Sequence, residues 1–325
     1  MFPAPSRPSA SCEARTRAFS LRSDPLPGRT PEDNPRVMTV AGRFDKLTLA
    51  AFLSRAHPHV ACDDWRARAE AGSLCLEGQR VRDLNVTVRA GNRLIHTIPR
   101  ETEPDVATAV RFLYEDPHIF VVHKPAPLPV HPCGRFRRNT LTALFAHAFS
   151  ESVKPVHRLD ADTAGLMVLA RTRQAAHHLG RQFESRTVEK DYLALVEGLP
   201  PWDRLACTLP LSSAPQGAGK REVVPEGPDA GHDALTLFER LRPDVANARC
   251  LLRAKPSSGR TNQIRVHLAA LGFPIVGDAA YAGTDAFTSG QFPLCLHAFK
   301  LAFRHPHTDA PLSFEDVAPP WAEGA

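Results

Sequence analysis

The segment VHRLDADTAGLMVLART, from Val156 to Thr172, decides both the fold and the chemistry expected of this chain. Its uninterrupted apolar run, Leu166–Ala170, predicts a strand covered on both faces. Asp160 lies on the polar turn just before that strand. An aspartate is ionised at neutral pH and can attack an electron-poor carbon without a metal or an organic cofactor. Asp160 is therefore a candidate nucleophile, and we expect neither a metal nor a cofactor.

Residue type alone also allows a simpler interpretation, in which Asp160 forms a loop salt bridge with Arg158 or caps a neighbouring turn. The segment as a whole, however, resembles the HRLDxxTSGL signature of the RluA-type pseudouridine synthases, enzymes that isomerise uridine in RNA. Ala164 stands where that family usually has Ser. The resemblance favours a catalytic aspartate over a structural one.

Three more segments resemble the same family, in the same order along the chain. EKDYLALVEG, residues 189–198, is similar to its strand with Lys and Tyr. PSSGRTNQIRVHLAALGFPIVGDAAYAG, residues 256–283, is similar to its P-x-TGRTHQIRVHL and GHPIVGD segments, and LCLHAFKLAFRHPHT, residues 294–308, to its last one. The resemblance runs from about Val110 to Trp321, and the chain is identified as a member of this family.

Two departures from the family pattern concern the substrate rather than the chemistry. Asn262 stands where His is usual, and His123 stands where the segment IFVVHKPAPLPVHP more often has Asn or Asp. Neither position is expected to carry bond chemistry, so the two differences leave substrate preference open.

The resemblance implies a role for each site residue. Isomerisation requires the uridine to be flipped out of its helix and held in a pocket. Asp160 attacks the base or sugar, or removes a ribose proton, and Arg265 pairs with it. Tyr192 stacks on the flipped uracil or takes the proton from carbon 5, and Arg158 fills the gap that the base leaves or holds its phosphate. Further contacts to the substrate RNA are expected from His157, Lys190, Arg260, Asn262, Gln263, Leu296 and His297.

Composition limits how RNA could be bound. The net charge is only +5, from 40 Lys and Arg against 35 Asp and Glu, so binding needs local basic patches. Two clusters are candidates for phosphate contact, although each could also be a solvated basic face. They are Arg135, Arg137 and Arg138, and the group Arg253, Lys255, Arg260, Arg265 and His267.

Other features bear on location and assembly. Seven cysteines without a Cys-x-x-Cys pair argue against zinc and against a disulfide framework, which favours reduced thiols in a cytosol. No apolar run reaches about 18 residues, and the first residues have no apolar signal region. We therefore expect a cytoplasmic monomer that binds RNA and no membrane.

Four regions are predicted along the chain. Residues 1–40 are expected to be disordered because they are rich in Arg, Pro and Ser and have no periodic apolar positions. Met38 is a candidate for the true start of the protein, and an arginine-rich organelle leader is a weaker alternative. Residues 41–100 look like a small helix-and-hairpin RNA-binding module named after a ribosomal protein. Residues 101–109 read as a linker, and residues 110–325 as the catalytic domain.

The predicted fold class is α+β, because strand runs occur with helices between them but without a β-α-β repeat. The family resemblance implies a mixed, largely antiparallel sheet with a central RNA-binding cleft, the pseudouridine synthase fold. Helices are predicted near 140–149, 174–184 and 261–271, and strands near 192–196, 234–240 and 249–254.

The sequence also allows two other functions. Asp160–Thr163 is similar to the Asp-x-Asp-x-Thr loop of haloacid-type phosphatases, but its Thr is one position out of register. A non-catalytic protein that binds or folds RNA with the same cleft is the stronger alternative. The RNA target is open between tRNA and rRNA. The segment VHPCGRFRRNTL favours tRNA, because it resembles the branch of the family that contains eukaryotic enzymes acting on the tRNA anticodon loop.

Overall fold

The computed structural model describes residues 9–58, 60–213, 220–224, 231–282 and 293–323. Within them the chain forms two compact units. One unit consists of the segment up to Pro27 together with the chain from Pro104 onward, and the other is Gly28–Glu103. The observed boundary after Glu103 lies within residues 101–109, the segment that reads as a linker in the sequence.

The described residues contain seven α-helices and fourteen strands. The helices are α1 Ala10–Arg22, α2 Leu49–Ala56, α3 Cys62–Glu70, α4 Leu141–Phe149, α5 Arg173–Glu184, α6 Gln263–Ala270 and α7 Pro320–Glu323. The strands are β1 Glu32–Thr39, β2 Leu74–Leu76, β3 Gln79–Arg80, β4 Arg93–Glu101, β5 Arg111–Glu115, β6 Ile119–Lys124, β7 Lys154–Pro155, β8 Ala164–Ala170, β9 Glu189–Glu197, β10 Arg204–Cys207, β11 Thr236–Asp244, β12 Arg249–Pro256, β13 Leu296–Arg304 and β14 Pro311–Glu315. No helix in this part of the chain is both long and apolar enough to cross a membrane.

The larger unit is built on one ten-stranded sheet, whose main path runs β10-β11-β12-β9-β13-β8-β6-β5. Its neighbouring strands pair antiparallel except β8 and β13, which are parallel. This confirms the predicted α+β class with a mixed, largely antiparallel sheet. The arrangement does not fit the phosphatase alternative, which requires parallel β-α repeats.

The strand after Asp160 is buried on both faces, as its apolar run predicts. Met167 and Leu169 pack into the core cluster that contains α4, whereas Leu166 and Val168 pack into the cluster beneath α5. Successive residues of a strand point to opposite faces of the sheet. Because both faces of β8 pack against apolar clusters, every residue of the buried run must be apolar. The turn that carries Asp160 therefore leads directly into the most deeply buried part of the sheet.

Gly165 permits the one parallel contact in the sheet. It has φ +122°, and a Cβ at this position would lie 2.3 Å from the carbonyl oxygen of Ala298 on β13. Only glycine accommodates both that dihedral angle and that approach. The Gly of the signature motif therefore lets β13 lie against the start of β8, close to Asp160.

The smaller unit is a four-stranded sheet, in the order β1-β4-β2-β3, with two helices. Thr48 caps α2 through a hydrogen bond from the Ala51 amide, and Phe52 and Leu53 enter the core. The helices and the hairpin expected of this module are present, as α2, α3 and the β2–β3 hairpin, which turns at Glu77 and Gly78. Strand β1 was not predicted, because it lies in the segment expected to be disordered.

The prediction of disorder for residues 1–40 is wrong for the described part of that segment. Helix α1 begins at a Ser9 cap and places Phe19 among Phe112, Phe145 and Phe149. Arg15 forms ion pairs with Glu115 at 2.8 Å and Glu151 at 2.9 Å, and its guanidinium lies 4.7 Å from the ring centre of Phe149. Only Cys12 and Phe19 of this helix are buried, so its sequence shows no helical apolar stripe.

Substitution of Phe19 tests whether α1 is part of the larger unit. Phe19→Ala is expected to lower the free energy of unfolding by about 3–5 kcal/mol, because it empties a fully buried aromatic site. Leu21→Ala, on the same helix but 76% exposed, should change it by no more than about 0.5 kcal/mol. Urea denaturation measures both, and equal small effects would mean that the helix is not packed on the sheet.

Candidate active site

Asp160 lies at the wall of a cavity of about 330 Å³ in the larger unit. Its backbone carbonyl accepts a hydrogen bond from the Thr163 amide at 3.1 Å, which closes the turn before β8. Leu159 is buried beneath this turn, while the Asp160 side chain keeps 21% of its surface exposed. The carboxylate is thus fixed by its backbone and open to a ligand in the cavity.

Arg265 reaches Asp160 but is held mainly by another residue. Its Nη1 lies 3.5 Å from Asp160 Oδ2, whereas its Nε and Nη2 donate to the two carboxylate oxygens of Asp278 at 2.8 and 2.7 Å. Burial opposes the charge of Arg265, but the Asp278 hydrogen bonds outweigh it and raise the pKa of the guanidinium. The predicted pairing of Arg265 with Asp160 is present as a long contact. The hydrogen bonds to Asp278 fix the orientation of the guanidinium that makes it.

A buried lysine supports the turn from below. Lys124 is fully buried, and its Nζ donates to the carbonyl oxygens of Pro125 at 2.9 Å, Leu128 at 2.8 Å and Ala161 at 3.2 Å. Burial lowers the pKa of Lys124 to about 7, against the attraction of nearby carboxylates that include Asp160. Lys124 therefore ties the residue after the candidate nucleophile to the loop that follows β6.

Tyr192 and Leu296 line the cavity together with Asp160. Burial, and secondly the charge of Asp160, raise the pKa of the Tyr192 phenol. The ring is therefore a neutral platform at the pH of the cell. Tyr192 lies on β9, which includes the strand predicted near 192–196, and Leu296 lies on β13, which pairs with β9 in the sheet.

Besides Arg265, three cations line the same cavity. Arg158 is exposed, Lys190 is half-buried with its Nζ donating to the Ser258 carbonyl at 3.3 Å, and Arg260 is exposed. Burial, and secondly Arg186, lower the pKa of Lys190. These side chains provide positive charge around Asp160, as expected for a pocket that accepts a nucleotide and its phosphates.

His157 and Gln263 line the cavity but have structural hydrogen bonds. His157 Nε2 accepts from the Val168 amide at 3.1 Å, its ring stacks on Phe183 at 4.5 Å, and burial lowers its pKa to about 3. Gln263 accepts from the Ser258 hydroxyl at 2.7 Å and donates to Thr236. Their polar groups shape the walls of the cavity.

The expectation that His297 contacts RNA needs correction, because the described cavity lining does not include it. Successive residues of β13 alternate between faces, so Leu296 faces the cavity and His297 does not. His297 Nε2 lies 3.0 Å from the buried Asp316 carboxylate, which also accepts from His123 at 2.5 Å and from Arg111 at 2.6 Å. Both histidines contact one carboxylate oxygen of Asp316 and Arg111 contacts the other, so the four residues form a hydrogen-bonded cluster.

The basic cluster predicted between Arg253 and His267 is largely neutralised. Arg253 and Lys255 lie 3.8 and 3.6 Å from Asp191, Arg265 is bound by Asp278, and His267 is fully buried. Of the five, only Arg260 combines exposure with a place in the cavity lining. The acidic partners come from the neighbouring strands, Asp191 from β9 and, for Arg253, also Glu239 from β11 at 3.3 Å, which a run of residues does not reveal.

Sequence reasoning missed two residues that organise the site. Asp278 belongs to the PIVGD motif and Lys124 to the HKP motif, so both lay inside quoted segments without a role. A signal was present in each case, because an acidic or basic residue in an otherwise apolar buried segment needs a partner.

Comparison with known proteins is consistent with this geometry. The model of the family described as RNA pseudouridylate synthase matches residues 118–270. The ribosomal large subunit pseudouridine synthase D of Nitrosomonas europaea is 36% identical over 70% of this chain and 69% of its own length. The chain belongs to the RNA pseudouridylate synthase family, and to its RluA-type group.

Other relatives are longer than this chain. The mitochondrial tRNA pseudouridine(32) synthase of Saccharomyces cerevisiae is 34% identical over 75% of this chain and 52% of its own length. Human pseudouridylate synthase RPUSD2 is 36% identical over 67% of this chain and 39% of its own length. The chain therefore spans about half of the yeast relative and about two fifths of the human one. The structure of human RNA pseudouridylate synthase domain containing 1 superposes with a TM-score of 0.56 at 26% identity, covering 67% of this chain and 87% of that one.

The buried lysine gives the site a pH-dependent stability. Between about pH 7 and 10 the unfolded chain holds a proton on Lys124 that the folded chain releases, so this group makes stability rise with pH. Lys124→Met removes that contribution. The stability of wild type relative to the variant is therefore expected to increase from pH 7 to 10 in urea titrations.

Below about pH 6 the difference should be constant, because both states then carry the proton. A difference that stays flat, or falls, between pH 7 and 10 would contradict the lowered pKa of Lys124.

Proposed function

We propose that this chain isomerises uridine to pseudouridine in a structured RNA. The observation that carries the proposal is the arrangement of three side chains around one cavity: Asp160, open to a ligand, Arg265, fixed by Asp278, and the half-buried Tyr192. Family membership supports it. In the reaction the bond from ribose carbon 1′ to ring nitrogen 1 breaks, a bond to ring carbon 5 forms, and the proton of carbon 5 leaves while nitrogen 1 gains one.

Asp160 is the proposed catalytic residue. Attack on the base or sugar, and removal of a ribose proton, both need an ionised carboxylate within reach of the nucleotide. The side chain of Asp160 is exposed to the cavity, and the Arg265 guanidinium lies 3.5 Å away. That contact stabilises the charge while leaving the carboxylate without a tight ion pair to break.

The proposed role of Tyr192 is stacking on the flipped base. Its raised pKa keeps the hydroxyl protonated, and a neutral phenol is a poor base for removing the proton of carbon 5. Stacking on an aromatic ring is favourable for any base. Arg158, exposed beside the nucleophile, is proposed to fill the gap in the RNA helix, and Lys190 and Arg260 to contact phosphate.

The substrate is proposed to be tRNA or rRNA, with tRNA favoured. Two relatives support these two candidates, since one is a tRNA pseudouridine synthase and the other a ribosomal large subunit pseudouridine synthase. The segment 130–141 supports tRNA by resemblance. The smaller unit is proposed to add RNA contacts, which its exposed Arg55, Arg80 and Arg89 could provide.

A cytoplasmic monomer is proposed as the working form. All seven cysteines are free, which suits a reducing compartment. The alternative of a non-catalytic RNA-binding protein keeps the same cavity and differs in one respect, because it would bind RNA without forming pseudouridine.

Asp160→Asn separates the enzyme from the binder. The amide keeps the shape of the side chain but not its charge, so we expect pseudouridine formation to fall by about 10³-fold or more with RNA affinity preserved. The measurements are nucleoside analysis of RNA after single-turnover reaction, and filter binding of the same RNA.

Asp162→Asn is the matched control, because Asp162 is exposed two residues further along the same turn. It should keep wild-type turnover. Turnover by Asp160→Asn equal to that of the control would contradict the assignment, and no turnover by wild type on any cellular tRNA or rRNA would favour the non-catalytic alternative.

A further inference from the structure

A chain of hydrogen bonds leads from the catalytic cleft to a neighbouring segment of the larger unit. Asn262 Oδ1 accepts from Arg265 Nη1 at 3.3 Å, and Asn262 Nδ2 donates to the Tyr281 hydroxyl at 2.9 Å. The same hydroxyl accepts from the backbone amide of Arg221 at 2.9 Å. Asp160 and Arg221 are thus joined through three side chains.

The orientation of the Asn262 amide is determined by its partners. The guanidinium of Arg265 can only donate, so it must face the carbonyl oxygen of Asn262. The amide nitrogen then faces Tyr281, whose oxygen accepts from it and from Arg221 with its two lone pairs. Loss of the Tyr281 hydroxyl would leave the amide free to rotate and present its nitrogen to Arg265.

Tyr281 also contacts Arg265 directly. The guanidinium carbon lies 5.1 Å from the centre of the phenol ring, and the backbone amide of Tyr281 donates to Asp278 Oδ1 at 3.2 Å. The ring packs in a small cluster with Val266, the residue after Arg265. Tyr281 therefore covers the guanidinium, anchors its main partner and holds Asn262.

The backbone at Asn262 suits this role. Asn262 has φ 57°, ψ 18°, the left-handed conformation, directly before α6, and its side chain does not cap that helix. Asn adopts this conformation more readily than most residues other than Gly. The side chain is therefore directed to Arg265, one turn further along, rather than to the helix amides.

The neutral charge of the amide matters for Asp160. Arg265 Nη1 has two hydrogens, and Asp160 and Asn262 lie at 3.5 and 3.3 Å from it. An uncharged acceptor takes one of them without placing a second negative charge beside the nucleophile.

We propose that Asn262 and Tyr281 are positioning residues for the isomerisation, which set the direction in which Arg265 faces Asp160. The inference rests on the proposed function and deepens it. It also gives a role to Asn262, one of the positions at which this chain departs from the residue usual in its family.

Three variants test the proposal: Tyr281→Phe, which keeps the ring and removes only the hydroxyl, Asn262→Ala, and their combination. Each single variant is expected to lower the single-turnover rate at saturating enzyme by about 3- to 10-fold, the effect of one hydrogen bond. RNA affinity and melting temperature should stay at their wild-type values. The combined variant should lose little more than either single variant, because both break one linkage.

Asn262→Asp adds a charge test. The new carboxylate competes with Asp160 for Arg265 Nη1, so this variant should be slower than Asn262→Ala. Tyr114→Phe and Asn247→Ala are matched controls, since their polar groups bond Asp116 and Asp244 outside the cavity lining. Both controls should react at the wild-type rate.

Three results would overturn the proposal: rates equal to those of the controls, losses that multiply in the combined variant, or slower rates explained by a parallel loss of affinity or melting temperature. In all three, wild type still forms pseudouridine, so the proposed function stands. Absence of pseudouridine from every wild-type reaction would overturn that function, and this inference with it.

Discussion

The buried ion pair between Arg265 and Asp278 is the interaction on which the site depends. The side chain of Asp278 is 1% exposed and that of Arg265 is 10% exposed, and two short hydrogen bonds join them. A cation this deeply placed needs a carboxylate partner, and Asp278 provides it. Asp160 therefore does not have to neutralise the buried Arg265. It can act as the reactive carboxylate, with Arg265 close enough to stabilise its charge.

The scaffold brings these groups together from distant parts of the sequence. Asp160 precedes β8, Tyr192 lies on β9, and Arg265 lies on α6 after β12. The sheet order places β13 between β9 and β8, with Gly165 allowing the parallel approach. The long sheet thus supplies rigid support and carries Tyr192, while Asp160 lies on the turn before an inner strand and Arg265 on a helix.

Much of the site could be predicted from sequence because its residues lie in local motifs whose order is fixed along the chain. The apolar run after Asp160 also defined β8 correctly, since burial on both faces requires continuous hydrophobic sequence. Failures arose where contacts cross between distant segments. The partners of Arg253 and Lys255 lie on another strand, and α1 packs through Phe19 and the stem of Arg15 instead of an apolar stripe.

The measurement that tests the central claim is a pair of double-mutant cycles on the free energy of unfolding, one for Arg265 with Asp278 and one for Arg265 with Asp160. The structure predicts a coupling of about 2–3 kcal/mol for Arg265 with Asp278, whose contact is short and buried. It predicts less than about 1 kcal/mol for Arg265 with Asp160, whose contact is long and partly exposed. A coupling with Asp160 equal to or larger than that with Asp278 would contradict the account, because Arg265 would then be held by the nucleophile itself.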